Sequence, residues 1–99
     1  MEEIIAERDL IGINPDGSRF KIMLKLGKPY TVAGGEWVCA VGAIGLYTRL
    51  REIRGGDSLQ TLLQAVKFLR RLIEYFIDDG GSLLSPDDET PVKISDIFI

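Results

Sequence analysis

The most regular pattern in the chain is a stripe of apolar side chains between Asp57 and Asp78. Its members recur at intervals of three and four residues, which predicts one long amphipathic helix over residues 57–78. Asp57 is a favourable N-cap with Gln60 at capping-box spacing, and Gly80 and Gly81 are suited to ending the helix. The stripe consists of Leu59, Leu62, Leu63, Val66, Leu69, Ile73, Phe76 and Ile77.

The apolar arc of this helix is wider than a single sheet face needs. Ala65, Phe68, Leu72 and Tyr75 lie beside the stripe and widen it beyond the ~100° typical of a one-sided surface helix. Three covers for this flank remain open: the C-terminal tail folded back, a second copy of the chain, or a small ligand in a groove. We therefore expect a second cover over Phe68, Leu72 and Tyr75.

Alternation of apolar and polar residues with period two precedes the helix and predicts antiparallel strands. The alternation is clearest from Arg19 to Gly27, and Asn14-Pro15-Asp16-Gly17 before it is a strong turn signal. Gly42 and Gly45 indicate a bulge or a tight turn. The four predicted strands cover residues 4–13, 19–27, 36–44 and 46–54.

The composition of the chain changes twice after the helix, first to polar and then to apolar. Residues 82–91 form a polar stretch with two prolines and an acidic triplet, and residues 92–99 are too apolar for a disordered tail. This tail either covers the helix flank or adds to a sheet, in this subunit or in a neighbour. We predict an α+β fold in one domain spanning residues 1–99. It comprises an antiparallel four-stranded meander over 4–54, a long helix over 57–78 packed across one face, and a C-terminal loop and apolar tail over 82–99.

Composition and charge narrow the functional classes. The 99 residues carry a net charge of −3 and no run of Lys and Arg, so binding to nucleic acid is not expected. No stretch approaches the ~20 apolar residues of a membrane span, and the acidic N-terminus does not resemble a signal peptide. A single cysteine, Cys39, suits a reducing cytoplasm.

The residue types present exclude several chemistries. Histidine is absent, which removes Ser-His-Asp and Cys-His catalysis and His-based metal sites. We expect Cys39 to be a buried inert thiol, Gly55-Gly56-Asp57 to be a helix cap, and the charges around Arg8 to pair across strands with Lys21 or Lys25. No catalytic residue, metal site or cofactor is predicted.

Several short motifs are similar to those of a family of small bacterial proteins, known as a domain of unknown function. They are the Gly35-Glu36-Trp37-Val38-Cys39 strand and the helix start Gly56-Asp57-Ser58-Leu59-Gln60-Thr61-Leu62. Ile5-Ala6-Glu7-Arg8 and Gly27-Lys28-Pro29 also look similar. The resemblance covers roughly residues 4–77, and the tail from Ser82 departs from it. It implies a bacterial cytoplasmic α+β domain and no established activity.

Two functions follow as hypotheses. The first is a non-enzymatic protein-interaction module that binds itself as a homodimer, or another protein. The second is a small-molecule binder or carboxylate-based enzyme with a cleft beside the helix. For the first we expect interface residues Phe68, Leu72, Tyr75, Phe76, Ile97 and Phe98, and for the second ligand contacts from Arg8, Tyr30 and Trp37.

Overall fold

The computed structural model describes residues 3–99, which form an antiparallel sheet covered on one face by helices. The strands are β1 (Ile4–Ile13), β2 (Arg19–Gly27), β3 (Tyr30–Thr31), β4 (Trp37–Ile44), β5 (Arg51–Gly55) and β6 (Ser82–Leu84). The helices are α1 (Ser58–Asp78) and α2 (Ile94–Ile97). The predicted α+β fold with one long helix packed against an antiparallel sheet is confirmed.

The order of the strands follows from their pairing. β1 pairs with β2, β2 with β4, and β4 with β5, all antiparallel, which is the predicted meander. β3 pairs with the start of β4 on the edge opposite β5, so it extends β2 after the break at Lys28 and Pro29. β6 returns after α1 and pairs with Ile11–Ile13 at the end of β1.

The predicted number of four strands is wrong for the described residues, which contain six. Tyr30–Thr31 lies outside the four predicted strands, although these residues resume the β2 line for two positions. Ser82–Leu84 lies in the stretch that the sequence predicts to be a polar loop, but Leu83 is 2% exposed and fills the core beside Gly12. Both strands are too short to show a periodic pattern of their own.

The fourth strand begins later than predicted, at Arg51 rather than Leu46. Gly45 adopts φ +101°, and Leu46 and Tyr47 both donate a backbone hydrogen bond to the carbonyl of Ala43, at 3.2 and 2.8 Å. The chain therefore turns sharply after β4, as the glycines indicated. Residues 46–50 form a connection that crosses beside α1 before β5 starts.

One core lies between the sheet and α1. Residues paired directly across strands share a face, so Leu10, Ile22, Leu24 and Ala43 all point toward the helix. The helix buries Thr61, Ala65, Leu69, Ile73 and Phe76 against them. Phe76 meets Phe20 edge to face, with ring centroids 5.6 Å apart, which is a favoured aromatic geometry.

The C-terminal tail packs against its own chain. Phe98 is 8% exposed and belongs to the core, and Ile94 and Ile97 pack against it from α2. The tail therefore supplies a cover in cis, beside Val66 and Leu69 of α1. Within residues 3–99, no helix combines the length and the apolar character needed to cross a membrane.

Candidate functional site

The outer edge of β1 is open over most of its length. β1 pairs with β2 from Ile4 to Ile13, but on its other side β6 reaches only Ile11–Ile13. A register shift between Ile4 and Ala6 interrupts the ladder, which leaves Ala6–Leu10 as a regular strand edge without a partner among the described residues. Alternate residues of such an edge direct their backbone N–H and C=O groups outward.

The chain cannot extend β6 to close this edge. β6 ends at Leu84, and the chain then turns back on itself beside Asp9 and Leu10, with the backbone N–H of Ser85 donating to the carbonyl of Thr90 at 2.9 Å. Pro86 follows and has no N–H to contribute to a ladder. The open edge is thus a fixed consequence of the sequence at residues 85–86.

A groove runs below this edge on the helix side of the sheet. It has a volume of about 240 Å³ and lies between β1, β2, α1 and the tail. Its apolar lining comes from the strands and from both helical segments, namely Ala6, Leu24, Leu26, Val66, Leu69, Ile97 and Phe98. Arg8 shares this face because it is paired with Leu24, and it carries the only positive charge on the helix-side face of Ala6–Leu10.

The opposite face of the same edge is acidic. Glu7 and Asp9 alternate with Arg8, and they are paired with Lys25 and Met23 of β2. The expected cross-strand neighbours are therefore present for Glu7, yet within residues 3–99 neither Glu7 nor Arg8 nor Asp9 forms an ion pair. The edge offers one positive and two negative side chains that are free to pair with an incoming strand.

A second cavity lies on the other flank of α1. It is a cleft of about 170 Å³ between the helix and the 46–50 connection. Phe68 and Leu72 form one wall, and Arg51 stands with its guanidinium carbon 5.8 Å from the centroid of the Phe68 ring. Residues 47–51 partly cover Phe68 and Leu72, whereas Tyr75 is 54% exposed. The tail, one of the three expected covers, lies on the other flank of α1.

The six expected interface residues do not form one surface. Phe68 and Leu72 line the cleft, whereas Ile97 and Phe98 line the groove on the other flank of α1. Phe76 is buried under the helix, 9% exposed, and Phe98 is buried in the core as well. Of these six residues, only Tyr75 is a largely exposed apolar side chain. Leu59 and Leu63, which the sequence places in the core-facing stripe, are exposed as well.

The three expected ligand contacts are also separated. Arg8 lies at the β1 groove, whereas Tyr30 and Trp37 lie at the far end of β4. The Tyr30 hydroxyl donates a hydrogen bond to the Glu52 carboxylate at 3.1 Å. Tyr30 is paired with Val38, and Trp37 is paired with Gly55, so the side chains of Tyr30 and Trp37 lie on opposite faces of the sheet. The cleft beside the helix instead carries Arg49 and Arg51, which are not among the expected ligand contacts.

Cys39 is a buried thiol, as predicted. Its Sγ–H donates to the carbonyl of Gly27 at 3.2 Å, and burial raises the pKa of the thiol above its ordinary value. A raised pKa keeps the nucleophilic thiolate scarce at neutral pH. Among residues 3–99, no group of three or more Cys, Asp and Glu side chains is placed to hold a metal ion.

These features define a small α+β protein with an open strand edge and a separate arginine-lined cleft. No protein-family model, curated protein sequence or solved structure matches the chain. The resemblance to a bacterial domain family stays a prediction that these searches do not test.

Proposed function

We propose that this protein is a non-enzymatic protein-interaction module that binds an extended segment of a partner protein along Ala6–Leu10 of β1. The observation that carries the proposal is the regular, unpaired strand edge above an apolar groove. An extended segment of another protein can pair with the outward N–H and C=O groups of such an edge and place alternate side chains in the groove.

The chain itself supplies the precedent for such pairing. β6 adds to the same edge of β1 in antiparallel orientation and places Leu83 in the core. A partner strand in the same orientation continues the β6 line from the point where Pro86 ends it. Its residues opposite Leu10 and Ala6 then face the groove, as Leu83 faces the core opposite Gly12.

Charges along the edge select the partner sequence. A residue opposite Arg8 lies on the helix side and pairs best when it is acidic, whereas residues opposite Glu7 and Asp9 pair best when they are basic. The preferred partner therefore reads apolar, basic, acidic, basic, apolar from the position opposite Leu10 to that opposite Ala6. Each opposite-charge pair contributes about 0.2–1 kcal/mol.

The same charges oppose pairing of two copies through this edge. The antiparallel register that uses all of Ala6–Leu10 in both copies sets Arg8 opposite Arg8, and Glu7 opposite Asp9 twice. Like charges directly opposite each other destabilise a strand pair. We therefore assign this edge to a different protein, and the homodimer expected from the sequence stays a prediction, which light scattering on the purified chain tests.

A cytoplasmic and bacterial setting completes the proposal. The support is the single buried thiol, which suits a reducing compartment, and the motif resemblance described above.

The test is a charge-exchange experiment on Arg8. A fluorescent peptide Thr-Val-Lys-Glu-Lys-Val-Thr is titrated with the full chain and followed by anisotropy. We expect saturable binding, weakened about tenfold by Arg8→Glu and regained by that variant when the central Glu of the peptide is Lys. Hydrogen exchange should show new protection of amides in residues 6–10 when the peptide is bound.

Arg71→Glu is the matched control, because it makes the same charge change at an exposed position on α1. It should leave binding unchanged. Absence of saturable binding, equal weakening by both variants, or protection elsewhere than residues 6–10 would each overturn the proposal.

A further inference from the structure

The cleft beside α1 is enclosed on three sides and bears charged side chains. Gly42 and Ala43 lie at the end of β4, Phe68 and Leu72 project from α1, and the 46–50 connection closes the third side. The polar part of the lining consists of Tyr47, Thr48, Arg49 and Arg51. No Asp or Glu lines this cavity, although acidic residues outnumber basic ones in the chain, 15 to 12.

The two arginines of the cleft have no anionic partner in the part of the chain that the structure describes. Arg19, Arg54 and Arg70 each form an ion pair with a glutamate, whereas Arg49 and Arg51 form none. The guanidinium carbon of Arg51 lies over the Phe68 ring, 5.8 Å from its centroid, which is within the range of a cation–π contact. The cleft therefore carries two positive side chains that form no ion pair within residues 3–99.

The side chains that line the cleft indicate the chemical class of ligand that it favours. Guanidinium groups bind planar carboxylates through paired hydrogen bonds, and the hydroxyls of Tyr47 and Thr48 are further donors. Phe68 and Leu72 provide an apolar wall, which favours a hydrocarbon group beside the carboxylate over a fully hydrated inorganic anion. A volume of about 170 Å³ is small for a ligand pocket and excludes large cofactors.

We propose that this cleft is a binding site for a small carboxylic acid with a short hydrocarbon group, held by Arg49 and Arg51 against Phe68 and Leu72. The site lies on the other flank of α1 from the groove below β1, since the groove uses Val66 and Leu69 instead. It is independent of the partner-binding proposal, and either site stands without the other.

The test uses isovalerate as the probe, with its neutral analogue isovaleramide for comparison. Amide signals of the ¹⁵N-labelled chain are followed by NMR during titration. We expect saturable shifts with isovalerate at Gly42, Ala43 and Thr48, and none with isovaleramide. The paired substitution of Arg49→Gln and Arg51→Gln should weaken binding at least about tenfold.

Arg71→Gln serves as the matched control, since Arg71 is exposed and forms no ion pair among residues 3–99. It should bind isovalerate as the unaltered chain does, and thermal unfolding of each variant establishes that it is folded. The site assignment is overturned if isovalerate shifts no signals in the cleft, if the amide shifts them equally, or if the Arg49 and Arg51 substitutions have no effect. Inorganic phosphate titrated alone provides one more outcome: shifts with phosphate and none with isovalerate would overturn the carboxylic-acid assignment.

Discussion

Gly45 shows how one residue sets the course of the chain between β4 and β5. Its φ of +101° lies in the region that glycine alone adopts readily. A Cβ at this position would stand 2.0 Å from the carbonyl oxygen of Lys21, so the turn is pressed directly against the backbone of β2. The residues that follow this turn, Tyr47, Thr48 and Arg49, line the cleft beside α1.

We predict that Gly45→Ala lowers the free energy of unfolding by roughly 2–4 kcal/mol, from backbone strain and steric overlap together. Urea denaturation measures the change. Gly34→Ala is the control, because Gly34 has φ +97° with no heavy atom within 4 Å of a Cβ. It should cost only about 1–2 kcal/mol from strain. Equal losses in the two variants would show that the contact with Lys21 contributes nothing.

At the scale of the element, α1 depends on its N-terminal cap. The Asp57 side chain accepts a hydrogen bond from the backbone N–H of Gln60 at 2.7 Å, and the Gln60 side chain accepts from the N–H of Gly56 at 2.8 Å. The reciprocal arrangement resembles the predicted capping box, displaced by one residue on the return bond. Thr61 adds a hydrogen bond from its hydroxyl to the carbonyl of Asp57 at 2.6 Å.

We predict that Asp57→Ala destabilises the chain by about 1 kcal/mol through loss of this cap. Asp78→Ala removes the same charge at the last residue of α1, where a carboxylate interacts unfavourably with the helix dipole. It should leave the stability unchanged or raise it by a few tenths of a kcal/mol. Similar losses in both variants, measured by chemical denaturation, would contradict the capping role.

The sequence predicted those elements whose pattern is long enough to repeat. Nine residues of β2 and twenty-one of α1 carry several full periods, so the type and extent of both could be recognised. β3 and β6 contain two and three residues and exist only because β4 and β1 present edges to them. The open edge of β1 and the cleft arise from where β6 stops and where the 46–50 connection runs. Both are properties of tertiary packing that no local pattern contains.

At the scale of the whole molecule, the C-terminal tail completes the core. Phe98 fills space among the buried residues of the sheet and α1, whereas Ile99, the next residue, is fully exposed. The tail is thus an integral part of the fold and also forms the floor of the groove below β1.

We predict that Phe98→Ala lowers the unfolding free energy by about 3–4 kcal/mol, because it removes a large buried side chain and leaves a cavity. Ile99→Ala, one position later, should change it by less than about 0.5 kcal/mol. Thermal and urea unfolding of both variants give the comparison. A small effect of Phe98→Ala would mean that the tail does not occupy the core in solution.

The pairing of β1 with β6 has a consequence for how the molecule is made. Gly12 and Leu83 lie opposite each other, so the first strand meets its last neighbour only after residue 83 has left the ribosome. Until then the whole outer edge of β1 is bare, and Leu10 lacks part of its surroundings. The nascent chain therefore passes through a stage in which this strand edge is fully accessible. The charges of Glu7, Arg8 and Asp9 limit unwanted association during that interval.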